Sequence, residues 1–260
     1  MNNSRSFDRA AHIYDQTRPL LDPITKYGIP AILELVGANA HVLEAGSGTG
    51  RMSIPLLERG LDLIGCDLSS LMLNRFQEKF PSARVARADA SRLPFPAGHF
   101  NAVLTVHVLH LIPPWRETLR EFKRVLGTGG MYLNVRTWES VGISVAERMR
   151  QFWRGWLAAN GIDAGHPGVR DSAELLQEVN LLNADVTELE VVRFSDSFIL
   201  RDELDHFESR VYSATWDIPD DIYEASMKEL RAWTNHEFGS LDQEITDEVR
   251  FVIHAAQFKS

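Results

Sequence analysis

The chain has 260 residues, of which 44% are hydrophobic and 24% are charged, and its formal net charge is −9. That composition excludes a disordered or collagen-like chain, and the length fits one large domain or one domain with a sizeable insertion. The single cysteine, Cys66, excludes a disulfide framework and a thiolate metal site.

The apolar segments and the start of the chain predict a cytoplasmic protein with no membrane helix. The longest apolar stretch, residues 102–114, is well short of the roughly 20 residues that a membrane helix needs. The first nine residues have no apolar core and do not indicate a secretory signal. A single cysteine is also typical of a reducing compartment.

The first half of the chain predicts five short strands that alternate with helices. The first forty residues are typical of helices that break at three prolines, Pro19, Pro23 and Pro30. Ser69 is a good N-cap for a helix that ends near Phe80. The apolar runs between helices are short enough for buried strands, and they cover residues 41–45, 61–66, 83–87, 100–106 and 131–135. This alternation predicts a parallel sheet with helices on both faces.

After the fifth strand the regular alternation stops. A broad apolar face at helical spacing contains Val145, Met149, Phe152, Trp153, Trp156 and Leu157. The later pattern predicts a helix over 172–182, a strand over 185–194, acidic helices over 203–245 and a strand over 248–258. We expect a single domain, 1–260, in which two helical segments, 138–172 and 203–245, form a lid.

The negative charge is concentrated in residues 201–250. This segment has 14 acidic and 5 basic residues, so its net charge is −9 and the rest of the chain is balanced. Such a surface repels phosphate backbones, which makes a nucleic acid an unfavourable partner. The segment is either a solvated helical surface that aids solubility or a surface that attracts a cationic substrate.

Residues 44–50, Glu-Ala-Gly-Ser-Gly-Thr-Gly, lie where the first strand meets the first helix of the sheet. Glycines let the backbone turn sharply and approach a ligand closely. The dinucleotide fingerprint has the spacing Gly-x-Gly-x-x-Gly, whereas position 51 here is arginine. An acid at Glu44 repels a pyrophosphate and suits a ligand with an ammonium group.

Two further acids follow the next two strands. Asp67 ends the second strand, where a carboxylate can accept hydrogen bonds from both hydroxyls of a ribose. Asp89 follows the third strand and can accept a hydrogen bond from an exocyclic amine such as that of adenine. Open parallel sheets bind ligands at this edge. Three acids without a basic phosphate clamp indicate a nucleoside that has no phosphates.

Five motifs carry a resemblance to a known family: Glu44-x-Gly46-x-Gly48-x-Gly50, Cys66-Asp67-Leu68-Ser69, Ala88-Asp89-Ala90-x-x-Leu93-Pro94-Phe95, Phe100-Asn101-Ala102-Val103 and Leu126-Gly127-x-Gly129-Gly130. Together they resemble the class I S-adenosylmethionine-dependent methyltransferases, in particular the small-molecule branch similar to the ubiquinone and menaquinone biosynthesis enzymes. The likeness covers residues 1–136. It implies an α/β fold with a Rossmann-like, seven-stranded, mostly parallel sheet, helices on both faces, and a helical lid inserted after strand 5 and between strands 6 and 7.

The resemblance also implies S-adenosylmethionine as the cofactor. Glu44 and the following turn to Gly50 would hold its methionine part, and Asp67 would hold its ribose. Leu68 would flank the adenine ring, which Asp89 and Ala90 would bind. The expected cofactor-binding residues are Tyr14, Arg18, Glu44, Ala45, Gly46, Gly48, Gly50, Asp67, Leu68, Asp89, Ala90, Val106 and His107.

The stretch Tyr14-Asp15-x-x-Arg18-Pro19 is similar to an N-terminal motif of the same branch. Arg18 would bind the carboxylate of the cofactor, because a guanidinium pairs with a carboxylate through two hydrogen bonds. Tyr14 would cover the methionine part. The alternative is a helix end that packs on the sheet and leaves Arg18 in solvent.

Two histidines, His107 and His110, follow the fourth strand and are candidate catalytic bases. The alternative is that His107 forms a wall of the cofactor site and that His110 is a packed or surface residue. The apolar stripe with Trp153 either lines the lid, next to a small acceptor, or is core. No metal-ligand spacing is present.

These features predict methyl transfer by in-line displacement to a small-molecule acceptor, without a nucleic acid or membrane partner. Orientation and exclusion of water supply most of the rate in such a reaction, so an obligatory catalytic residue is not required. One alternative is a non-catalytic protein that binds S-adenosylmethionine or S-adenosylhomocysteine, and a second is a nicotinamide-dependent oxidoreductase. The sequence leaves the acceptor and the oligomeric state open.

Overall fold

The computed structural model describes residues 6–259 and contains a seven-stranded sheet. Residues 1–5, which belong to the start interpreted above as lacking a secretory signal, and residue 260 lie outside the described residues. The strands are β1 (His41–Ala45), β2 (Asp62–Asp67), β3 (Arg84–Arg87), β4 (Phe100–Val106), β5 (Leu126–Ser140), β6 (Ala184–Ile199) and β7 (Glu244–Phe258). Their order across the sheet is β3-β2-β1-β4-β5-β7-β6.

Helices connect most of these strands. The α-helices are α1 (Tyr14–Thr17), α2 (Ile29–Val36), α3 (Ser53–Leu57), α4 (Ser70–Lys79), α5 (Trp115–Val125), α6 (Val145–Ala159), α7 (Ser172–Leu181), α8 (Leu200–Glu208) and α9 (Asp220–Phe238). Short 3₁₀ turns lie at Asp8–Ala10, Leu109–Leu111 and Ser213–Thr215, and a π-helical turn covers Ile24–Gly28. Of the helices within residues 6–259, none combines the length and the apolar character that crossing a membrane requires.

The prediction of seven mostly parallel strands is confirmed. The pairs β3–β2, β2–β1, β1–β4 and β4–β5 are all parallel. Strand β7 runs the other way beside β5: Asn134 contacts His254. Further along β5, Glu139 pairs with Arg250, so residue numbers fall along β7 as they rise along β5. The crossovers between parallel strands bring the carboxyl ends of β1, β2 and β3 to one edge.

Some predicted boundaries were wrong. Pro23 and Pro30 do not break the helical structure, because Ile24–Gly28 leads directly into α2 and Pro30 lies in its first turn, where a missing N–H costs little. Strand β5 begins at Leu126, five residues early, since Leu126 pairs with Phe100. The acidic region after residue 200 contains the predicted helices, α8 and α9, but strand β7 begins at Glu244, four residues earlier than predicted.

The chain divides into two compact units. The first contains the described residues up to Trp138, Pro167–Val192 and the described residues from Phe251 onward, and the second contains Glu139–His166 and Arg193–Arg250. The predicted lid segments, 138–172 and 203–245, overlap largely with the second unit. Their role as a lid stays a prediction.

Alternating side chains of β1 show how the first unit covers its sheet. Leu43 and Ala45 belong to a hydrophobic core that includes Phe122 of α5. Glu44, between them, points to the opposite face and accepts a hydrogen bond from Ser53 of α3. Because successive residues of a strand point to opposite faces, helices lie on both sides of the sheet, as predicted.

The second unit has a hydrophobic core of its own, built by α6, α8 and α9. Met149 and Trp153 of α6 are buried in this core together with Phe207 and Leu230. The indole Nε1 of Trp153 donates a hydrogen bond of 3.0 Å to Ser226 Oγ. The lid-lining interpretation is therefore wrong for Met149 and Trp153: three amphipathic helices need a shared core, and these side chains fill it.

Phe152 of the same stripe and two aromatic residues after α8, Tyr212 and Trp216, also make contacts within the second unit. Phe152 stacks on Trp233 with 4.6 Å between the ring centroids. The Tyr212 hydroxyl donates to Glu203 at 2.8 Å, and the Trp216 indole donates to the Arg210 carbonyl at 2.8 Å. These contacts hold the aromatic rings in place within the second unit.

Candidate functional site

The glycine turn after β1 has a backbone conformation and close packing that only glycine fits at two positions, Gly46 and Gly50. Gly46 and Gly50 have φ values of 78° and 79°, in the left-handed region that favours glycine. A Cβ at Gly46 would lie 2.4 Å from Val108, and one at Gly50 would lie 2.3 Å from the ring of Phe76. The amides of Gly46 and Ser47 donate to the Cys66 carbonyl at 2.7 and 2.9 Å. The turn is thereby held against the end of β2.

Glu44 is a buried carboxylate directly before this turn, with 2% of its surface exposed. Ser53 Oγ donates a hydrogen bond to its Oε2. Burial raises the pKa of Glu44 to about 7, against the lowering effects of the Ser53 hydrogen bond and the nearby charge of Arg51. An ammonium group beside Glu44 would favour its ionised form.

The raised pKa of Glu44 predicts how stability depends on pH. In the unfolded chain this group titrates near 4.5 and in the folded protein near 7. The folded state therefore holds the proton more tightly, and the stability this provides is complete below pH 4.5 and is lost as the pH rises through 7. As the pH rises from 5 to 8, the free energy of unfolding should fall by about 2–3 kcal/mol more in the wild-type protein than in Glu44→Gln.

Urea unfolding of both proteins at several pH values measures this difference. Glutamine keeps the size of the side chain and an oxygen that can accept from Ser53. Glu58→Gln, at an exposed position, is the matched control and should follow the wild-type profile. Parallel profiles for wild type and Glu44→Gln would contradict the assignment.

Asp67, at the end of β2, connects two loops of the site. Its Oδ2 accepts a hydrogen bond from the Gly48 amide at 2.9 Å, and its Oδ1 accepts one from the Ser69 amide at 2.8 Å. Burial raises the pKa of Asp67, and these backbone hydrogen bonds oppose the rise. Each carboxylate oxygen has two lone pairs, so each can still accept from a ligand hydroxyl.

Asp89 follows β3 and shapes its own loop. Its Oδ1 accepts hydrogen bonds from both the amide and the hydroxyl of Ser91, each at 2.8 Å. The ends of β2 and β3 are tied together, because the Ala88 amide donates to the Asp67 carbonyl at 3.0 Å. Ala90 is buried beside this loop, and Leu68, which follows Asp67, is half-buried.

The segment before the sheet also reaches the site. The guanidinium of Arg18 lies over the Tyr14 ring, 4.9 Å from its centroid. Asp15 Oδ1 accepts a 2.5 Å hydrogen bond from Thr49 Oγ1 in the glycine turn. The motif Tyr14-Asp15-x-x-Arg18 pointed to this region, but sequence reasoning assigned no role to Asp15 or Thr49. The contact between them joins residues 34 positions apart, which no local pattern reveals.

His107 follows β4 in an unusual backbone conformation, with a φ of 50°. Its Nε2 accepts the Thr137 amide at 3.2 Å and lies 2.8 Å from the Thr137 hydroxyl. Burial, together with the nearby charges of Arg51, Arg136 and Arg18, lowers the pKa of His107 to about 3. The ring is thus neutral at pH 7 with its proton on Nδ1, which disfavours it as a base.

His110 lies in the 3₁₀ turn Leu109–Leu111, and its backbone contacts a second segment of the first unit. The His110 carbonyl accepts a hydrogen bond from the Gly168 amide at 2.9 Å. A Cβ at Gly168 would lie 2.0 Å from the Leu109 carbonyl oxygen. The role of His110 as a base stays a prediction.

The arrangement brings three acids and a glycine turn to neighbouring strand ends. Glu44, Asp67 and Asp89 lie at or just after the carboxyl ends of β1, β2 and β3, which are adjacent in the sheet. Val106, buried, ends β4 next to them. Within residues 6–259, no group of three or more histidine, cysteine or acidic side chains is placed to hold a metal ion. Carboxylates and backbone amides at this edge can bind a hydroxylated, cationic small molecule.

Comparison with known proteins gives the family context for this site. Residues 43–134 match the family described as "Methyltransferase domain". A demethylmenaquinone methyltransferase of Beutenbergia cavernae is 34% identical over 127 residues, which are 48% of this chain and 53% of that protein. An uncharacterized methyltransferase of Mycobacterium tuberculosis is 34% identical over 175 residues, 66% of this chain and 65% of that protein. The match thus spans about half of the first relative and just under two thirds of the second.

A solved structure of another methyltransferase has a similar fold. Phosphoethanolamine N-methyltransferase 2 of Haemonchus contortus, in complex with S-adenosyl-L-methionine, superposes with a TM-score of 0.56 at 16% identity. The superposition covers 99% of this chain and 59% of that chain. The match confirms the predicted Rossmann-like sheet.

Proposed function

We propose that this chain, whose residues 43–134 match the family described as "Methyltransferase domain", is a class I S-adenosylmethionine-dependent methyltransferase that transfers a methyl group to a small-molecule acceptor. One observation carries the proposal: the glycine turn and the three acids, Glu44, Asp67 and Asp89, occupy the carboxyl edge of adjacent strands. That arrangement suits a nucleoside with an ammonium group and no phosphates.

Each part of the site fits one part of the cofactor. Glu44 and the glycine turn would face the methionine part, where an ammonium group would keep Glu44 ionised. Asp67 would accept the two ribose hydroxyls with the lone pairs that the Gly48 and Ser69 amides leave. The remaining contacts would come from Tyr14, Arg18, Leu68, Asp89, Ala90, Val106 and His107.

The cofactor, when bound, supplies a sulfonium whose methyl group is already electrophilic. The chain therefore needs to orient the two reactants and exclude water, which together supply most of the rate in such a reaction. Arg18 would pair with the cofactor carboxylate. The neutral ring of His107 would act as a wall residue, because a group with a pKa of about 3 is a weak base at neutral pH.

The acceptor is proposed to be a small molecule that is largely apolar or aromatic. Relatives named as demethylmenaquinone methyltransferases support this class. The aromatic stripe of α6 gives less support than the sequence suggested, because Met149 and Trp153 are core residues. The acidic second half of the chain disfavours a nucleic acid acceptor.

Calorimetry and thermal unfolding test the cofactor assignment. S-adenosylmethionine and S-adenosylhomocysteine should bind and raise Tm, since a ligand that binds only the folded state stabilises it. NAD should do neither. Binding of NAD without binding of S-adenosylmethionine would reject the proposal.

A turnover assay separates an enzyme from a non-catalytic binding protein. We expect S-adenosylhomocysteine to form in the presence of one class within a panel of quinols, phenols and amines. Cofactor binding without turnover across the panel would favour the binding-protein alternative.

A further inference from the structure

The segment that precedes the sheet is bonded to both loops of the proposed cofactor site. Asp8 Oδ1 accepts a hydrogen bond from Ser69 Oγ, in the loop that follows Asp67. Asp15 Oδ1 accepts one from Thr49 Oγ1, in the glycine turn. Two carboxylates of one short segment therefore contact the turn after β1 and the loop after β2.

The Asp15 carboxylate has two partners, the hydroxyl of Thr49 and the ammonium group of Lys79. Thr49 is fully buried between Gly48 and Gly50, and its hydroxyl donates to Asp15 at 2.5 Å. The second oxygen of Asp15 lies 2.8 Å from Lys79 Nζ, at the end of α4. Hydrogen bonds to an ionised acceptor are roughly twice as strong as neutral ones, so Thr49 is held firmly.

The Asp8 contact reaches a residue that already orders the Asp67 loop. Ser69 Oγ accepts the Met72 amide at 3.1 Å and thereby caps α4, while the Ser69 amide donates to Asp67 Oδ1. The same hydroxyl donates to Asp8, and this hydrogen bond is the main cause of the lowered pKa of Asp8. Asp8 is therefore linked through Ser69 to the carboxylate proposed to bind ribose.

The anchored segment carries the two N-terminal residues assigned to the cofactor. Asp15 lies directly after Tyr14 and three residues before Arg18, in a single turn of α1 and the residue that follows it. Tyr14 and Arg18 also contact each other, with the Arg18 guanidinium 4.9 Å from the centroid of the Tyr14 ring. Fixing Asp15 thus fixes the placement of Tyr14 and Arg18.

We propose that Asp8 and Asp15 are positioning residues for cofactor binding: their bonds to Ser69 and Thr49 hold Tyr14 and Arg18 in place and clamp the glycine turn and the Asp67 loop in their binding arrangement. This inference rests on the proposed function. Neither carboxylate needs to touch the cofactor, since each acts through the loop or the segment that it anchors.

Removal of either partner of the Asp15 bond tests the proposal. Thr49→Val keeps the shape and removes the donor, and Asp15→Ala removes the acceptor. Each should raise the Kd and KM for S-adenosylmethionine about tenfold or more, with kcat at saturating cofactor within about twofold. The double variant should be little worse than either single variant, because both lose the same bond. Thr49→Ser, which keeps the hydroxyl, should restore most of the affinity.

Asp8→Ala tests the second contact and should weaken binding in the same direction. Asp22→Ala, an exposed carboxylate close by in sequence, is the matched control and should bind as wild type does. A Thr49→Val protein that fails to fold leaves Asp15→Ala and Asp8→Ala as tests, because both substitutions lie outside the sheet. Wild-type affinity in both aspartate variants would overturn the proposal.

A measurement without cofactor separates failure of this inference from failure of the proposed function. Trypsin should cleave after Arg9 faster in Asp15→Ala and Asp8→Ala than in wild type, because the segment loses its anchors. If wild type does not bind S-adenosylmethionine at all, the proposed function fails whatever the cleavage rates. If it binds, and the variants are cleaved faster but keep their affinity, the positioning role is rejected.

Discussion

Asp67→Ala is expected to weaken S-adenosylmethionine binding by about 100-fold or more. Each hydrogen bond to a charged group contributes about 1.5–3 kcal/mol, and two ribose hydroxyls would lose their acceptor. The substitution also removes the acceptor for the Gly48 and Ser69 amides, so the two loops lose their shared anchor. Calorimetric titration of both proteins with S-adenosylmethionine measures the change.

Two further variants make this test specific. Asp67→Asn should also bind weakly. The Gly48 and Ser69 amides each need an acceptor, and asparagine replaces one of the two acceptor oxygens with an NH₂ donor. Asp22→Ala removes an exposed carboxylate and should leave the affinity as it is in wild type. An Asp67→Ala affinity within twofold of wild type would remove this residue from the cofactor site.

Trp153→Ala is expected to lower the free energy of unfolding by about 3–5 kcal/mol, the usual cost of replacing a buried large aromatic side chain with alanine. The side chain is 1% exposed and lies in the core of the second unit. Its loss also leaves the Ser226 hydroxyl without the indole donor. Urea unfolding followed by the helical circular dichroism signal measures the effect.

The matched control is Trp138→Ala, since Trp138 is 44% exposed and its removal should change the free energy of unfolding by no more than about 0.5 kcal/mol. Below the unfolding transition, Trp153→Ala should still bind S-adenosylmethionine, because the residues proposed to bind the cofactor lie in the first unit. A Trp153→Ala protein as stable as wild type but slower with acceptor would restore the lid-lining interpretation.

Local signals in the sequence were enough to locate the sheet and the acids and glycine turn at its edge. The predicted strands His41–Ala45 and Phe100–Val106 have the bounds that the structure gives. Ser69 caps α4 as expected, through the Met72 amide. These features depend on apolar runs, glycines and capping residues that lie within a few positions of one another, so a linear pattern contains them.

Features that depend on distant partners could not be predicted in this way. The contact between Asp15 and Thr49 and the contact of His107 with Thr137 each join segments at least 30 residues apart. A histidine after a strand is a reasonable candidate base until its burial and three nearby guanidinium groups are known. The helical period of α6 predicted that Trp153 lies on the apolar face of the helix. It did not predict that α8 and α9 pack on that face.

A side chain at Gly168 or at Gly65 would clash with neighbouring atoms. A screen for second-site suppressors would distinguish the two positions, because the clashing atoms differ in kind. A Cβ at Gly65 would meet side chains, the Phe76 ring and Ser47 Oγ, each at 2.8 Å, so a smaller residue at those positions can make room for alanine. At Gly168 the obstacles are backbone atoms of residues 109–112, the nearest at 2.0 Å. No second-site substitution removes a main-chain carbonyl, so only reversion to glycine can rescue a Gly168→Ala allele.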